Sequence, residues 1–296
     1  MISILIPTYE YDVRFLVDYL IEQVLELKIA YEIIVIDDAS PRELPGNHSL
    51  SAYNNVHYFK LSSNIGRSKI RNLLASKAAY DWCLFLDADV YPYTSCFLQQ
   101  YVKLLSGDKQ KVYSGGVVYE RQPPDKARLL RWKYGINREE VSLKKRLLSP
   151  YRYFFGANFL IHRSVFSCVK FSDSIVTYGY EDLLFAEGIR KGRFNIQPID
   201  NPVIHQGIEV SSQFLKKTRE SLVNLKELNA MKKMNGQSIG IIKAYRLITS
   251  LGLTSFIGRF YLLLTKLFEC NLKSAHPSLF IFDLYKISYF CHLHRL

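Results

Sequence analysis

The sequence predicts an α/β protein with a mostly parallel sheet flanked by helices and a helical, basic C-terminal extension. Two observations predict this class. Along residues 2–90, short apolar runs that stop at polar turns alternate with segments whose apolar residues recur at helical spacing. Strands that alternate with helices at this pace form parallel sheets covered by helices. Beyond His205 the strand signals end, and long lysine-rich helical patterns follow.

The individual elements follow from the apolar pattern. Strands are predicted at Ile2–Ile6, Ile33–Ile36, Val56–Leu61, Trp82–Leu86, Val112–Val118 and Tyr153–Ile161. Helical spacing predicts helices at Val13–Leu27, from Ile70 through Leu74, at Leu183–Lys191 and at Phe214–Met234. Residues 120–150 are interpreted as a long basic connection.

Composition limits the function classes. The chain has 296 residues, 48% of them hydrophobic, which excludes a disordered or collagen-like protein. The net charge of +12 fits nucleic acid, anionic lipid or a phosphorylated substrate as partner. No helix-turn-helix, zinc-finger or RNP-like motif is present, so we expect no nucleic-acid partner. Five cysteines without CxxC spacing, and an N-terminus that begins as a strand, indicate a reducing, cytoplasmic location.

Two aspartates directly follow the fourth predicted strand, as Asp87-Ala88-Asp89. Side chains two apart in an extended chain point the same way, so both carboxylates can reach one cation. Two carboxylates supplied by the protein suit Mg²⁺ or Mn²⁺ that also binds a diphosphate. The alternative is an ordinary solvated turn after a strand, and the motif alone does not decide between them.

Further acidic and histidine side chains stand where strands end or helices begin. Asp37 and Asp38 follow the second strand, where an acid can bind a ribose or a base, or form a turn. Glu181 and Asp182 open a helix; one of them is a candidate general base, although acids are also ordinary helix starts. His205 is either a metal ligand or a structural residue.

Taken together, these stretches resemble the family 2 glycosyltransferases of the GT-A fold, which are mostly inverting enzymes that use nucleotide sugars. The resemblance extends from Ile2 to about His205 and depends on the order and spacing of short motifs. These motifs are Ile4–Tyr9, Glu32–Ser40, Asn64–Gly66 with Arg71-Asn72, Phe85–Asp89, Gly156–Asn158 and Gly179–Asp182.

The resemblance implies how the donor is bound. Thr8 and Asp38 would contact the nucleoside, with Asp38 on the base, and Arg71 would lie near the base or diphosphate. Asp87 would face the ribose and the metal. The remaining implied donor contacts are Pro7, Tyr9, Asp37, Asn64, Gly66 and Ala88, and the implied sugar and acceptor pocket is Gly156, Ala157, Asn158 and Tyr180. Near Tyr178 and Tyr180 many relatives have Gly or Trp, so the resemblance does not predict acceptor specificity from these two residues.

The resemblance also implies a metal and a mechanism. Asp89, with Asp87 and His205, would hold Mn²⁺ or Mg²⁺, and Asp182 would be the catalytic base, with Glu181 beside it binding a sugar. The implied reaction moves a sugar from a nucleoside-diphosphate sugar, UDP-sugar favoured, to a glycan or lipid-linked acceptor in surface polysaccharide synthesis. The alternatives are a nucleotidyltransferase of similar fold, an inactive relative, or a basic nucleic-acid- or lipid-binding protein.

The extent of these motifs and the change of pattern after His205 also predict the domain boundaries. A catalytic domain is predicted at 1–206, with nucleotide-sugar binding in 1–118 and the acceptor part in 119–206, and a basic extension at 207–296. That extension carries 13 Lys and Arg against five Asp and Glu, and single cations interrupt its apolar runs before ~20 residues are reached. We predict interfacial helices on an anionic membrane, at the inner face of the cell membrane. The alternative is a helical subdomain that packs on the core or forms a dimer.

Overall fold

The computed structural model describes residues 1–173, 179–231 and 239–295. Its strands are β1 (Ile2–Thr8), β2 (Tyr31–Asp37), β3 (Val56–Lys60), β4 (Trp82–Leu86), β5 (Val90–Pro92), β6 (Lys111–Ser114), β7 (Val117–Val118), β8 (Asn158–His162), β9 (Asn195–Pro198) and β10 (Val203–His205). Its helices are α1 (Arg14–Leu27), α2 (Pro45–His48), α3 (Arg67–Lys77), α4 (Phe97–Val102), α5 (Leu129–Tyr134), α6 (Leu143–Leu148), α7 (Arg163–Cys168), α8 (Glu181–Lys191), α9 (Ser211–Ala230), α10 (Gly240–Ser250), α11 (Thr254–Leu272) and α12 (Leu279–Leu293).

The chain divides into two compact units. The first comprises Met1–Val118, Glu140–Val176 and Glu181–Gly207. The second comprises Tyr119–Glu139, Thr177–Tyr180 and Ile208–Leu296. Residues 119–139, which we assigned to the acceptor part of the catalytic domain, therefore cluster with the C-terminal helices.

A seven-stranded sheet forms the centre of the first unit, in the order β3-β2-β1-β4-β8-β6-β9. The first four of these strands are parallel, and β8 runs antiparallel to both β4 and β6. Strands covered on both faces are apolar throughout, as in Trp82–Leu86, where every residue is buried. The predicted α/β architecture is confirmed.

A second sheet of three short strands, β5-β10-β7, lies in the same unit. The predicted single strand Val112–Val118 is wrong, because β6 and β7 belong to different sheets. Gly116 separates them at a φ of +85°, a conformation that side chains with a Cβ rarely adopt. In β10, His205 pairs with Val90 in antiparallel register, which brings it next to the aspartates that follow β4.

Three other predicted boundaries are wrong. The strand predicted at Tyr153–Ile161 is Asn158–His162, because pairing with β4 sets its register and Phe154 packs in the core from the irregular segment before the strand. The connection 120–150 contains α5 and α6. The predicted helix Phe214–Met234 is α9, which ends at Ala230; its predicted last residues, 232–234, lie outside the described part of the chain.

Helices α9, α11 and α12 pack around an aromatic core in the second unit. Its buried residues are Leu130, Phe214, Leu215, Tyr261, Leu272, Phe282 and Tyr285. Within the described ranges, no single helix is long and apolar enough to cross a bilayer. By length and composition, α10 and α11 meet that requirement only as a pair, and the pair is bent by 118°.

Candidate active site

The strands that carry the predicted acids end side by side. Thr8 is in register with Asp37 across the β1–β2 pair, and β4 lies on the other side of β1. Thr8, Asp37, Asp38 and the Asp87–Asp89 turn therefore occupy one edge of the sheet. This is the edge at which ligands bind in open parallel sheets.

Asp37 and Asp38 have hydrogen-bond partners within this edge. The backbone amides of Ile65 and Gly66 donate to the two carboxylate oxygens of Asp38, at 2.7 and 2.9 Å. Asp37 accepts from the amide of Ser40 at 2.8 Å and from the hydroxyl of Tyr58 at 3.1 Å. Both acids thus shape the loops after β2 and β3, and their contacts with a donor stay predictions.

Arg71 lies between two carboxylates. Its Nη2 donates to Oδ1 of Asp87 at 2.6 Å, and its Nη1 is 4.0 Å from Oδ1 of Asp182. Its guanidinium also lies over the Phe171 ring, 5.2 Å from the centroid. Only 3% of the Arg71 side chain is exposed, against 20% for Asp87 and 29% for Asp182. Arg71 is therefore buried against these two acids, and its predicted contact with the base or diphosphate stays a prediction.

The two acids respond differently to this environment. Burial tends to raise the pKa of Asp87, but the charges of Arg71 and Arg67 and the Arg71 hydrogen bond outweigh it, so the pKa is lowered. For Asp182, burial and the neighbouring Glu181 raise the pKa to about 6 against the opposing charge of Arg71. Asp182 is therefore an acid poised to exchange a proton near neutral pH.

Asp182 is fixed at the start of α8 by the turn before β8. The amide of Gly156 donates to its Oδ2 at 2.8 Å, while Oδ1 accepts no hydrogen bond from the described residues. A Cβ at Gly156 would lie 2.4 Å from Oδ1, so this glycine allows the backbone to reach the carboxylate. Oδ1 is buried on the side of Arg71, so the exposed part of the Asp182 side chain lies elsewhere, and its role as a base stays a prediction.

Sequence reasoning missed two residues of this site. Arg67 donates a hydrogen bond to Glu181 at 3.2 Å. Tyr11 lies near Asp89, and the pKa of Tyr11 is raised by its burial and, to a smaller extent, by the negative charge of Asp89. Arg67 could have been found, because residues four apart on a helix share a face and Arg71 was already a candidate. Tyr11 carries no such signal beyond its position shortly after β1.

Asp89 and His205 meet across the β5–β10 pair. Nε2 of His205 is 3.6 Å from Oδ2 of Asp89, and the amide of Gln206 donates to the Asp89 carbonyl at 2.8 Å. A Cβ at Gly207 would lie 2.2 Å from Oδ2 of Asp89, so this glycine leaves the space in which the carboxylate lies. Among the described residues, no three His, Cys, Asp or Glu side chains converge on one point.

Three other residues predicted to belong to the site form hydrogen bonds within the protein. Asn158 donates to the carbonyls of Gly116 and Asn201 and accepts from the Tyr101 hydroxyl, so it ties the core together. Asn64 donates to the Asp38 carbonyl, and the Ala157 carbonyl accepts from the Asp87 amide. The pocket and donor roles of these residues stay predictions.

Five remaining positions complete the set. Pro7 and Ala88 are partly exposed at the sheet edge, Tyr9 is exposed, and the side-chain hydroxyl of Thr8 donates to the Tyr11 carbonyl. Tyr180 belongs to the second unit. Their donor and pocket roles also stay predictions, and Tyr178 lies outside the described residues.

Sequence comparison identifies one family. A model of the family described as "Glycosyl transferase family 2" matches residues 3–170, more than half of the chain. The matched segment contains β1 to α7 and ends before Asp182. No curated protein matches the sequence.

Solved structures share the fold at low sequence identity. The mannosyltransferase PcManGT from Pyrobaculum calidifontis, in complex with GDP-Man and Mn²⁺, is 16% identical with a TM-score of 0.52, over 74% of this chain and 61% of that one. TarS from S. aureus is 17% identical with a TM-score of 0.52, over 97% of this chain and 54% of TarS. The TarS fragment 1–349, in complex with UDP-GlcNAc, is 17% identical with a TM-score of 0.51, over 99% of this chain and 91% of the fragment. The chain therefore spans less than two thirds of PcManGT and of full-length TarS, and the predicted GT-A arrangement is confirmed.

Proposed function

The chain belongs to glycosyl transferase family 2, and we propose that it is a glycosyltransferase that moves a sugar from a nucleoside-diphosphate sugar to an acceptor hydroxyl, with Asp182 as general base. The observation that carries this proposal is the Asp182 carboxyl. It is partly exposed, held by the Gly156 amide, and its pKa is raised to about 6. A base with such a pKa is ionised at neutral pH yet accepts a proton readily.

The proposed step is a single displacement. The acceptor oxygen forms a bond to the anomeric carbon while the bond from that carbon to the diphosphate oxygen breaks. The acceptor's proton moves to the carboxylate of Asp182, and the diphosphate leaves with the electron pair. Attack from the face opposite the leaving group inverts the anomeric configuration. The Asp182 carboxylate, which is held by the Gly156 amide and belongs to a partly exposed side chain, supports this assignment.

Negative charge on the leaving diphosphate requires compensation. Arg67 lies on the same face of α3 as Arg71, and about half of its side chain is exposed. Arg71 is too buried to take this role directly and instead balances Asp87 and Asp182. We assign Arg67 to the positive potential of the donor site and Arg71 to the position and ionisation of the two acids.

A divalent cation fits the residues at Asp89. A carboxylate oxygen and an imidazole nitrogen, 3.6 Å apart, suit Mn²⁺ or Mg²⁺, and the Gly207 space accommodates the carboxylate. Two side chains leave further coordination positions for diphosphate oxygens. Asp89 and His205 would hold the cation, while Asp87 is engaged by Arg71. When bound, the cation would neutralise charge on the diphosphate. The Mn²⁺ in the PcManGT complex supports this proposal.

The donor and acceptor classes are also proposals. The two similar structures hold different nucleotides, GDP-Man in PcManGT and UDP-GlcNAc in the TarS fragment. We favour a UDP-sugar and a glycan or lipid-linked acceptor hydroxyl, as in surface polysaccharide synthesis. The structural match to the TarS fragment, which covers 99% of this chain, supports the choice of a uridine nucleotide.

Replacing Asp89 tests the cation site. We expect Asp89→Ala to lose the increase in UDP affinity that Mn²⁺ produces, because the variant lacks the carboxylate that would bind the ion. Isothermal titration calorimetry with UDP and with GDP, each with and without Mn²⁺, measures both the cation dependence and the base preference. The thermal unfolding midpoint of the variant without ligands should stay near that of the wild type.

Asp108→Ala provides a matched control, since Asp108 is an exposed aspartate in the α4–β6 loop of the same unit. Its Mn²⁺ response should equal that of the wild type. His205→Gln should weaken the response without removing it. An undiminished Mn²⁺ response in Asp89→Ala would contradict the cation assignment, and tighter GDP than UDP binding would contradict the uridine preference.

Gly156 offers a second test, of the position of the base. We expect Gly156→Ala to reduce the transfer rate at least about ten-fold, because its Cβ would displace the Asp182 carboxylate. The clash involves the end of a flexible side chain, so the midpoint of thermal unfolding should change little. Transfer rates at saturating donor, together with that midpoint, measure both effects. A normal rate would show that the Asp182 position does not limit transfer.

A further inference from the structure

Helix α11 of the second unit has an exposed apolar stripe, which consists of Phe256, Phe260, Leu263 and Leu267. These residues follow one another at intervals of three or four, so they line one face of the helix. Leu263 is 76% exposed and Leu267 is 67% exposed. The opposite face, with Tyr261 and Leu272, is buried in the aromatic core. The stripe therefore contributes nothing to the packing of this core.

The apolar surface continues onto the preceding helix. Leu247 of α10 and the connecting residues Leu251 and Leu253 are exposed as well. Gly252 makes the turn at a φ of +70°, and a Cβ placed there would meet no atom within 4 Å. The two helices thus present apolar side chains on both sides of an open turn. An exposed patch of this extent indicates an interaction surface.

Cations flank this surface. Lys243, Arg246, Arg259 and Lys266 are all exposed, and none forms an ion pair with another residue that the structure describes. Arg259 and Lys266 are two helical turns apart, alongside the stripe. The one acid of α10 and α11, Glu269, binds Arg219 and Lys273. The surface is therefore apolar with a positive border.

We propose that α10 and α11 lie on an anionic lipid bilayer, with the stripe inserted among the acyl chains and the four cations at the phosphates. Amphipathic helices in the membrane interface combine an apolar face with Lys and Arg in this way. A second copy of the chain fits less well. A twofold contact brings the same patch of each copy together, so the four unpaired cations would face four more. An anionic membrane provides the opposite charge.

Vesicle binding by the full-length chain tests this proposal. The wild type should co-float with phosphatidylcholine vesicles that contain about 30 mol % phosphatidylglycerol and bind pure phosphatidylcholine far less. The variant Leu263→Ser/Leu267→Ser should bind at least about ten-fold more weakly, because it loses apolar insertion. Arg259→Gln/Lys266→Gln should bind about thirty-fold more weakly and lose about half of its salt dependence, because two of the four cations remain.

Two control variants carry the same kinds of substitution as the test variants, but at exposed residues outside the proposed surface. Leu25→Ser/Leu148→Ser and Lys103→Gln/Lys109→Gln change exposed residues of the first unit and should bind as the wild type does. Circular dichroism checks that each variant is folded, and the charge variant tests the surface even if the serine variant unfolds. The proposal fails if both test variants bind like the wild type. It also fails if the wild type does not bind the anionic vesicles, and a dimer in light scattering that the serine variant dissociates would then assign the stripe to a contact between two copies.

Discussion

We expect Asp182→Asn to transfer sugar about 10²–10⁴-fold more slowly than the wild type, the usual cost of removing a general base. The amide keeps the size of the side chain and can still accept the hydrogen bond from Gly156. It cannot accept a proton at neutral pH, so the loss should appear in kcat. The transfer rate at saturating donor measures it, and calorimetry with the donor nucleotide should give a Kd close to that of the wild type.

Glu181→Gln is the matched control for this variant. Glu181 is adjacent in sequence, but its side chain is buried and one oxygen binds Arg67. Because the proposed proton acceptor remains, its effect should appear more in KM than in kcat. The anomeric configuration of the product adds a second test. Near-normal turnover in Asp182→Asn, or retention of configuration, would contradict the proposed displacement.

Much of this site could be predicted because its residues have local signals. A run of buried apolar residues that stops at an acid marks the carboxyl end of a strand, as at Asp87. Glu181 and Asp182 precede an apolar helical pattern, and α8 begins at Glu181. The end of a strand and the start of a helix depend on residues that are neighbours in the chain, so the local sequence predicts them. The order of the parallel strands then places their ends together.

What the acids contact could not be predicted, because those partners are distant in sequence. The carboxylate of Asp38 is held by amides 27 and 28 residues further on. Arg71 reaches Asp87 because α3 packs beside β1, and His205 reaches Asp89 through a strand pairing that spans more than a hundred residues. Apolar periodicity predicts which elements form. It carries no information about which polar atoms meet after the elements have packed.

The shift of β8 has a similar cause. The aromatic residues from Tyr151 to Phe155 have high strand propensity, and this led to a predicted start at Tyr153. In the structure Phe154 packs against Phe159 and Phe185 from an irregular segment, and the strand begins only at Asn158. Packing of one aromatic side chain in the core thus outweighs its backbone preference.

Arg71→Met is expected to destabilise the fold by about 3 kcal/mol, the lower end of the range for removing one partner of a buried ion pair. Methionine retains much of the packing against Phe171 but leaves Asp87 without its cation. The pair lowers the pKa of Asp87, so it stabilises the folded state above the unfolded value of about 4 and loses that contribution at lower pH. The difference from the wild type in urea denaturation should therefore be largest at neutral pH and shrink in acid.

The same substitution should change the pH dependence of transfer. In the wild type the rate should rise with pH through about 6, as Asp182 ionises. Arg71 opposes the rise in the pKa of Asp182, so its removal should raise that pKa further and move the acidic limb of the profile to higher pH. Profiles of kcat against pH, taken where both proteins remain folded, measure the shift.

Arg67→Met is the matched control, since Arg67 lies one turn earlier on α3 and is half exposed. The Arg67 guanidinium is half in water, whereas that of Arg71 is buried, so this variant should lose less stability in urea than Arg71→Met, although the buried Glu181 carboxylate loses a partner. Its acidic limb should move less than that of Arg71→Met, because Arg71 is the cation that lowers the pKa of Asp182, whereas Arg67 binds Glu181. Equal stability of Arg71→Met and Arg67→Met, with both limbs at the wild-type pH, would show that Arg71 supports neither acid. If the acidic limb of the kcat profile moves only in Arg71→Met, the buried guanidinium of Arg71 influences the ionisation of Asp182.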